Sequence, residues 1–277
     1  MPTKSASPTP LVTGTAHTPP RRKLLLFSRS VLFEHPVIAR QGGVLSFGEK
    51  AFVRLAGEVG CDVDCTKDGG VFEQDLDRYA GIVSYSCGKP ADLMKPESKD
   101  QSPPLTQRGW EALDRAVRAG KPLVGIHPGL WLHPDAFGAD CIGHGSQQVA
   151  KMLVRSPRFP GFGGLGESFA LMEEWFSLVK FGDDLHVILT QDCAGMNLEQ
   201  PMDRKCYERP PFPATWARMH GSGRVFYTSM GHREDVWTGA VFRQVLLAGL
   251  AWALGDVAAD ITPNLRQAAP QANAYVP

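Results

Sequence analysis

Charge of one sign is missing from this sequence: 29 Lys and Arg stand against 29 Asp and Glu, with an isoelectric point near 7.1. Without a basic footprint, neither a nucleic-acid backbone nor an anionic membrane surface is the expected partner. Long apolar runs are missing too. The longest, Val245 to Leu254, falls well short of the ~20 residues that cross a bilayer. Residues 1–20 are rich in Ser, Thr and Pro and hold no apolar segment of the kind a secretion signal carries. Cysteine is sparse and irregular, with six residues at 61, 65, 87, 141, 193 and 206. The Cys61–Cys65 pair has no second pair to complete a zinc site, and the chain is long enough to need no disulfide staples. Reduced thiols and a cytoplasmic location are the expectation.

What remains is ordinary globular material, 43% hydrophobic and 21% charged, with 29 Gly and 22 Pro pointing to many turns. The composition of residues 1–20 predicts a disordered tail, and residues 257–277 read as a C-terminal tail of similar character. One folded domain is expected over 22–256.

Within it, strand and helix alternate. Leu24–Ser28 is a short continuous apolar run, the mark of a strand buried on both faces. Phe52, Val53, Leu55, Ala56 and Val59 form a helical stripe that Gly60 stops. Strands are expected from Val63, over Gly81–Tyr85 and over Pro122–Ile126. Between the last two lie a polar loop at 88–104 and a helix capped by Thr106, facing inward with Trp110, Leu113, Ala116 and Val117. Further strands fit Val149–Val154, Leu185–Thr190 and Arg224–Ser229, with turns between them that suit an antiparallel sheet edge. Phe242, Val245, Leu246, Gly249, Leu250 and Ala253 mark a final helix closed by Gly255. The βαβ rhythm predicts an α/β, three-layer sandwich with a mostly parallel sheet.

Ligands in such folds bind beyond the carboxyl ends of the strands. Ser28 and Arg29 follow the first strand, with Glu34 and His35 close behind. His127 follows the fourth, and His232 follows the strand at 224–229. Three histidines can therefore converge on one cleft. The stretch Gly125-Ile126-His127-Pro128-Gly129 has the form of a nucleophile elbow with His in place of Ser or Cys. Pro128 has no N–H to donate to an oxyanion, so acyl transfer at this turn is chemically incomplete.

Several blocks occur in a diagnostic order. They are Phe27-Ser28-Arg29-Ser30 with Glu34-His35-Pro36, then Gly120-Lys121-Pro122-Leu123-Val124-Gly125-Ile126-His127, then Glu173-Glu174-Trp175-Phe176. Gly223-Arg224-Val225-Phe226-Tyr227-Thr228-Ser229-Met230-Gly231-His232 and Trp252-Ala253-Leu254-Gly255 complete the set. Together they resemble the trehalose-utilisation, ThuA-like family over residues 22–256, with Pro128 standing where that family carries a small residue. The resemblance implies a class I glutamine amidotransferase-like (flavodoxin-like) fold without the nucleophilic cysteine. It also implies a place in bacterial disaccharide or keto-sugar catabolism.

On this basis the expected catalytic residues are His127, His232 and Glu174, with Glu34 as the other acid able to orient a histidine. Such a set suits proton transfer next to a sugar carbonyl. Ser28, Arg29, His35 and Trp237 are the expected substrate contacts, and Trp131 and Trp175 also have rings able to stack on a sugar. The expected partner is a small sugar; self-association is left open. No cofactor is expected, although zinc is left open because His133, His144, His186 and His220 could join a metal site. Two alternatives stand beside the enzyme reading. One is a sugar-binding or regulatory module without catalysis, the other an amidotransferase-type hydrolase using Cys87.

Overall fold

The structure, a computed structural model, describes residues 21–275; the tail expected at 1–20 lies outside the described residues. The first half runs β1 (Arg22–Phe27), α1 (Phe47–Glu58), β2 (Cys61–Thr66), β3 (Gly81–Ser84), α2 (Pro90–Leu93), α3 (Gln107–Arg118) and β4 (Leu123–Ile126). The middle holds α4 (Pro134–Phe137), β5 (Asp140–His144), β6 (Gln148–Val154), β7 (Ser168–Glu173), β8 (Phe176–Val179) and β9 (His186–Asp192). Then come α5 (Pro201–Tyr207), β10 (Phe212–His220), β11 (Gly223–Thr228), α6 (Glu234–Thr238), α7 (Ala240–Ala253) and α8 (Leu265–Ala268).

Nine strands form one sheet in the order β2-β1-β3-β4-β11-β10-β9-β6-β7. The first five are parallel, and every pairing from β11 outward to β7 is antiparallel. β5 and β8 make a separate antiparallel pair. The α/β, flavodoxin-like sandwich with a mostly parallel core is the fold expected from the sequence, and its antiparallel edge is where the turns suggested. Leu24 to Phe27 are buried on both faces because helices cover both sides of the parallel strands.

Local chemistry explains the helices that matter for the site. Ser46 and Glu49 form a capping box that starts α1, and the buried Glu49 carboxylate also binds Arg40 and the Ser28 hydroxyl. Thr106 caps α3 by accepting from the Gly109 N–H at 2.9 Å. α7 buries Phe242, Val245, Leu246, Leu250 and Ala253 against the sheet.

β10 escaped the sequence pattern. It is buried along most of its length and so shows no alternation, and it contains Pro213. The proline is tolerated because the pairing with β9 breaks register between Pro213 and Thr215.

The C-terminal segment corrects the tail expected at 257–277. Leu265, Ala268, Ala269 and Ala272 are buried. The Asn264 amide accepts from the Val187 N–H at 2.6 Å and donates to its carbonyl at 3.0 Å. The Asn273 amide likewise takes the Phe181 N–H at 2.9 Å and donates to the Phe181 carbonyl at 2.7 Å. A segment poor in large apolar residues is thus held by small ones and by side-chain amides acting as surrogate backbone, which composition alone does not register.

Candidate active site

His127 sits where β4 turns sharply. Its backbone is left-handed, with φ +50°, a costly conformation for a histidine that the surroundings must enforce. The flanking glycines are required by close approach. A Cβ on Gly129 would lie 1.9 Å from the Ser84 carbonyl oxygen, and one on Gly125 would lie 2.6 Å from the Phe137 ring. The elbow geometry read from the motif is present. Tyr227 Oη donates to the His127 carbonyl at 2.9 Å, and the imidazole stacks on Phe176 at 4.1 Å.

The Ser229 carbonyl, 2.9 Å from His127 Nδ1, can only accept, so the ring carries its hydrogen on Nδ1. In the neutral ring His127 Nε2 presents a lone pair, and this buried atom has no hydrogen-bond partner. It faces Glu174 Oε2 at 3.5 Å. His35 Nε2 and His232 Nδ1 approach the same oxygen at 3.9 and 3.1 Å. The three rings lie 5.0 to 5.3 Å apart, centroid to centroid. One atom from each of His35, His127, Glu174 and His232 lies within 4.8 Å of all the others. His144, half-exposed, reaches the second carboxylate oxygen at 3.4 Å.

Burial would raise the Glu174 carboxyl, but the imidazoles of His127 and His232 outweigh it and hold the group well below the usual carboxylate range. Burial, followed by the neighbouring imidazoles, pushes His35 well below the ordinary histidine value. A neutral His35 and an ionised Glu174 are both competent as ligands or proton acceptors.

Two supporting groups were not singled out from the sequence as such. Glu173, fully buried, accepts from the backbone N–H of Glu174 at 2.9 Å, Gly231 at 2.8 Å and His232 at 3.1 Å. It ties the end of β7 to the loop after β11, the loop that carries His232. Gln147 is the second. Its carbonyl is occupied by Arg233 at 2.8 Å, so its amide N–H faces His232 Nε2 at 3.1 Å. Periodicity offered no signal for either, since both act through backbone or rim contacts between distant segments.

The expected substrate contacts divide. His35 joins the cluster; Ser28, Arg29 and Trp237 do not. Ser28 is buried beneath it and bonds Glu49 at 3.3 Å. The Arg29 guanidinium is consumed by Ser102 and by the Lys95 carbonyl, so it anchors the 88–104 loop. Trp237 is buried with its indole N–H on the Gly231 carbonyl at 2.7 Å, leaving no face for a ligand. Trp175 is fully buried, and Trp131 stacks on Phe176. Of the two acids able to orient a histidine, Glu174 does so, while Glu34 pairs with Lys67 at 3.0 Å.

The remaining histidines also separate. His133 and His220 meet Asp114 at 2.9 and 3.2 Å. His133 Nδ1 accepts from the Ala136 N–H, so its other nitrogen carries hydrogen and donates to Asp114 instead of offering a lone pair to a metal. His186 bonds Ser156 and Thr262. Cys87 is buried and its thiol is pushed up to about 11 by burial, the opposite of an activated nucleophile. All six cysteines are free, and no described helix is long and apolar enough to cross a membrane.

A flavodoxin-like sandwich with a histidine elbow and a buried carboxylate ringed by imidazoles defines the class. The family model for ThuA, trehalose utilisation, matches residues 37–253, and the chain belongs to that family, which carries a trehalose-utilisation-related role. Solved structures agree on the fold. A ThuA-like protein from Bacteroides uniformis aligns with a TM-score of 0.63 at 17% identity, covering 90% of this chain and 95% of that one. One from Parabacteroides merdae gives 0.60 at 16% identity over 88% and 95%. A cytoplasmic protein of Salmonella typhimurium gives 0.55 at 13% identity over 83% and 98%. No curated protein matches.

Proposed function

We propose that the protein acts on a sugar by acid–base chemistry at a divalent-cation site formed by His35, His127 and Glu174, with His232 beside it as the proton carrier. One observation carries this reading: three imidazole nitrogens surround one buried carboxylate oxygen, and the Ser229 carbonyl keeps a hydrogen on His127 Nδ1, turning Nε2 to that oxygen. With the His127 ring neutral, its Nε2 and Glu174 Oε2 are two acceptors facing each other at 3.5 Å, a contact that a cation or a shared proton relieves. Ligand atoms around a tetrahedral zinc stand about 3.3 Å apart, given bonds of ~2.0–2.1 Å. His127 Nε2 and His35 Nε2 stand 3.5 and 3.9 Å from the Glu174 oxygen, close to that spacing. Family membership supports the sugar.

A cation held there supplies Lewis acidity toward a sugar oxygen. The chain's own groups do the rest. Ser229 fixes the His127 tautomer, as metal-bound histidines require. Glu174 supplies the negative charge. His232, with Nε2 turned toward the Gln147 amide, holds its proton on Nδ1, the atom facing Glu174 and the one able to move a proton. Six free thiols support a cytoplasmic location.

Zinc-loaded, dialysed protein is expected to retain close to one metal per chain, and His127→Asn to lose it. Incubation with trehalose, 3-keto-sugars and simple disaccharides, followed by product NMR, is expected to show conversion of at least one. Binding without conversion would leave a sugar-binding module. Metal retention unchanged in His127→Asn, with no sugar converted, refutes the proposal.

A further inference from the structure

Phe33 is the one exposed Phe, Tyr or Trp side chain among the described residues, at 53% exposure. It stands edge-on to His35, centroids 5.1 Å apart, at the rim of the histidine cluster. Its exposure does not come from a loose loop. Just before it, the Val31 and Leu32 N–H groups both reach the Cys87 carbonyl, at 2.9 and 3.3 Å. Just after it, Glu34 is tethered to the buried Lys67 ammonium at 3.0 Å. An apolar ring is thus held in water on a fixed segment, touching a site residue. Such preorganisation lowers the cost of binding a ligand against the ring.

Beyond His35 the wall changes character. A cavity of about 380 Å³ adjoins His232, lined by Val37, Gln147, Arg233, Glu234 and Asp235. That volume lies in the ~300–1,000 Å³ range of small-molecule sites. Arg233 is paired with Asp235 and with the Gln147 carbonyl, and the Glu234 carboxylate stands beside them, so the lining is polar throughout. Phe33 lies outside that lining and meets it through His35, which neighbours His232 at 5.1 Å. A ligand reaching from the ring to the polar lining carries many hydroxyls and one flat C–H face. Those are the features of a pyranose ring. An acyclic polyol has the hydroxyls without the face, and an anion lacks both.

Resting on the sugar reading above, we propose that Phe33 is the stacking wall of this site and selects cyclic sugars over acyclic polyols. The ring replaces Trp237, which the sequence favoured and the fold buries.

The test compares binding of trehalose and mannitol to wild-type protein, Phe33→Ala and Phe33→Trp by titration calorimetry. Wild type is expected to prefer trehalose. Phe33→Ala should weaken trehalose by about tenfold while leaving mannitol unchanged, and Phe33→Trp should restore the preference. The side chain is exposed, so all variants should melt with wild type. Unchanged trehalose affinity in Phe33→Ala overturns the wall and leaves the sugar reading standing. A wild type that binds neither compound removes the sugar reading and the wall with it. Sedimentation velocity covers the remaining occupant: a dimer that Phe33→Ala converts to monomer assigns the ring to a second copy and overturns the proposal.

Discussion

Replacing Glu173 by Gln isolates the contact that holds His232 over the cluster. The carboxylate is fully buried and accepts three backbone N–H groups, one on one oxygen and two on the other. Burial raises its pKa, opposed by the nearby His127 imidazole and by the Gly231 and Glu174 N–H groups. A glutamine can keep its carbonyl oxygen on Gly231 and His232, but its amide NH2 then opposes the Glu174 N–H, donor against donor. Losing one charge-assisted hydrogen bond costs about 1.5–3 kcal/mol, and turning the other two neutral weakens each. Relief from burying a charge offsets part of this, leaving a net loss of about 2 kcal/mol. For a chain of this size each kcal/mol moves Tm by about 2–4 °C, so thermal unfolding followed by circular dichroism should show a drop of about 4–8 °C. Metal retention should fall as well, because the backbone of Glu174 loses its tether. A Tm within about 1 °C of wild type would refute the reasoning, since three buried donors cannot lose their anion without consequence.

Gly129→Ala should destabilise by at least about 3 kcal/mol, because the new methyl would sit 1.9 Å from the Ser84 carbonyl oxygen; a wild-type urea midpoint would contradict the elbow packing. Asp114 bears on acid stability. Burial opposes its ionisation, but Arg118, His220 and His133 lower it from 3.8 to about 2. The folded value lies below the unfolded one, so its stabilisation is full above pH 3.8 and is lost as pH falls through about 2. Asp114→Asn should remove about 1 kcal/mol after solvent screening and flatten the acid limb of stability against pH in that window; an unchanged slope would remove Asp114 from the account.

The parallel half of the sheet was legible because strands buried on both faces write themselves as continuous apolar runs, as Leu24 to Phe27 do. The histidines were legible because strand ends in this architecture point at the ligand site. Legibility failed where an element answers to tertiary contacts. β10 carries a proline at a register break. The burial of Ser28, Arg29 and Trp237 depends on loops that arrive from Glu49, Ser102 and Gly231, far along the chain. Residue type suggested stacking for Trp237, but exposure decides that role, and the sequence does not encode exposure position by position. That Glu174 meets the histidines while Glu34 does not goes with the buried Lys67, which pairs with Glu34 and which no spacing connects to it.

The two asparagines near the C-terminus have a bearing on how the sheet avoids aggregation. β6 pairs with β9 from Leu189 to Asp192 but not at Val187, where the ladder would otherwise present a free donor and acceptor. Asn264 occupies both, so a single side chain does the work of a missing neighbour strand. Removing the segment would open a short, buried, apolar stretch of β9 to any other chain able to pair with it, which is how unguarded sheet edges recruit copies of themselves. The segment that begins at Asn264 is therefore a guard on the sheet, and shortening the chain before Asn264 would change how it behaves at high concentration before it changed the site.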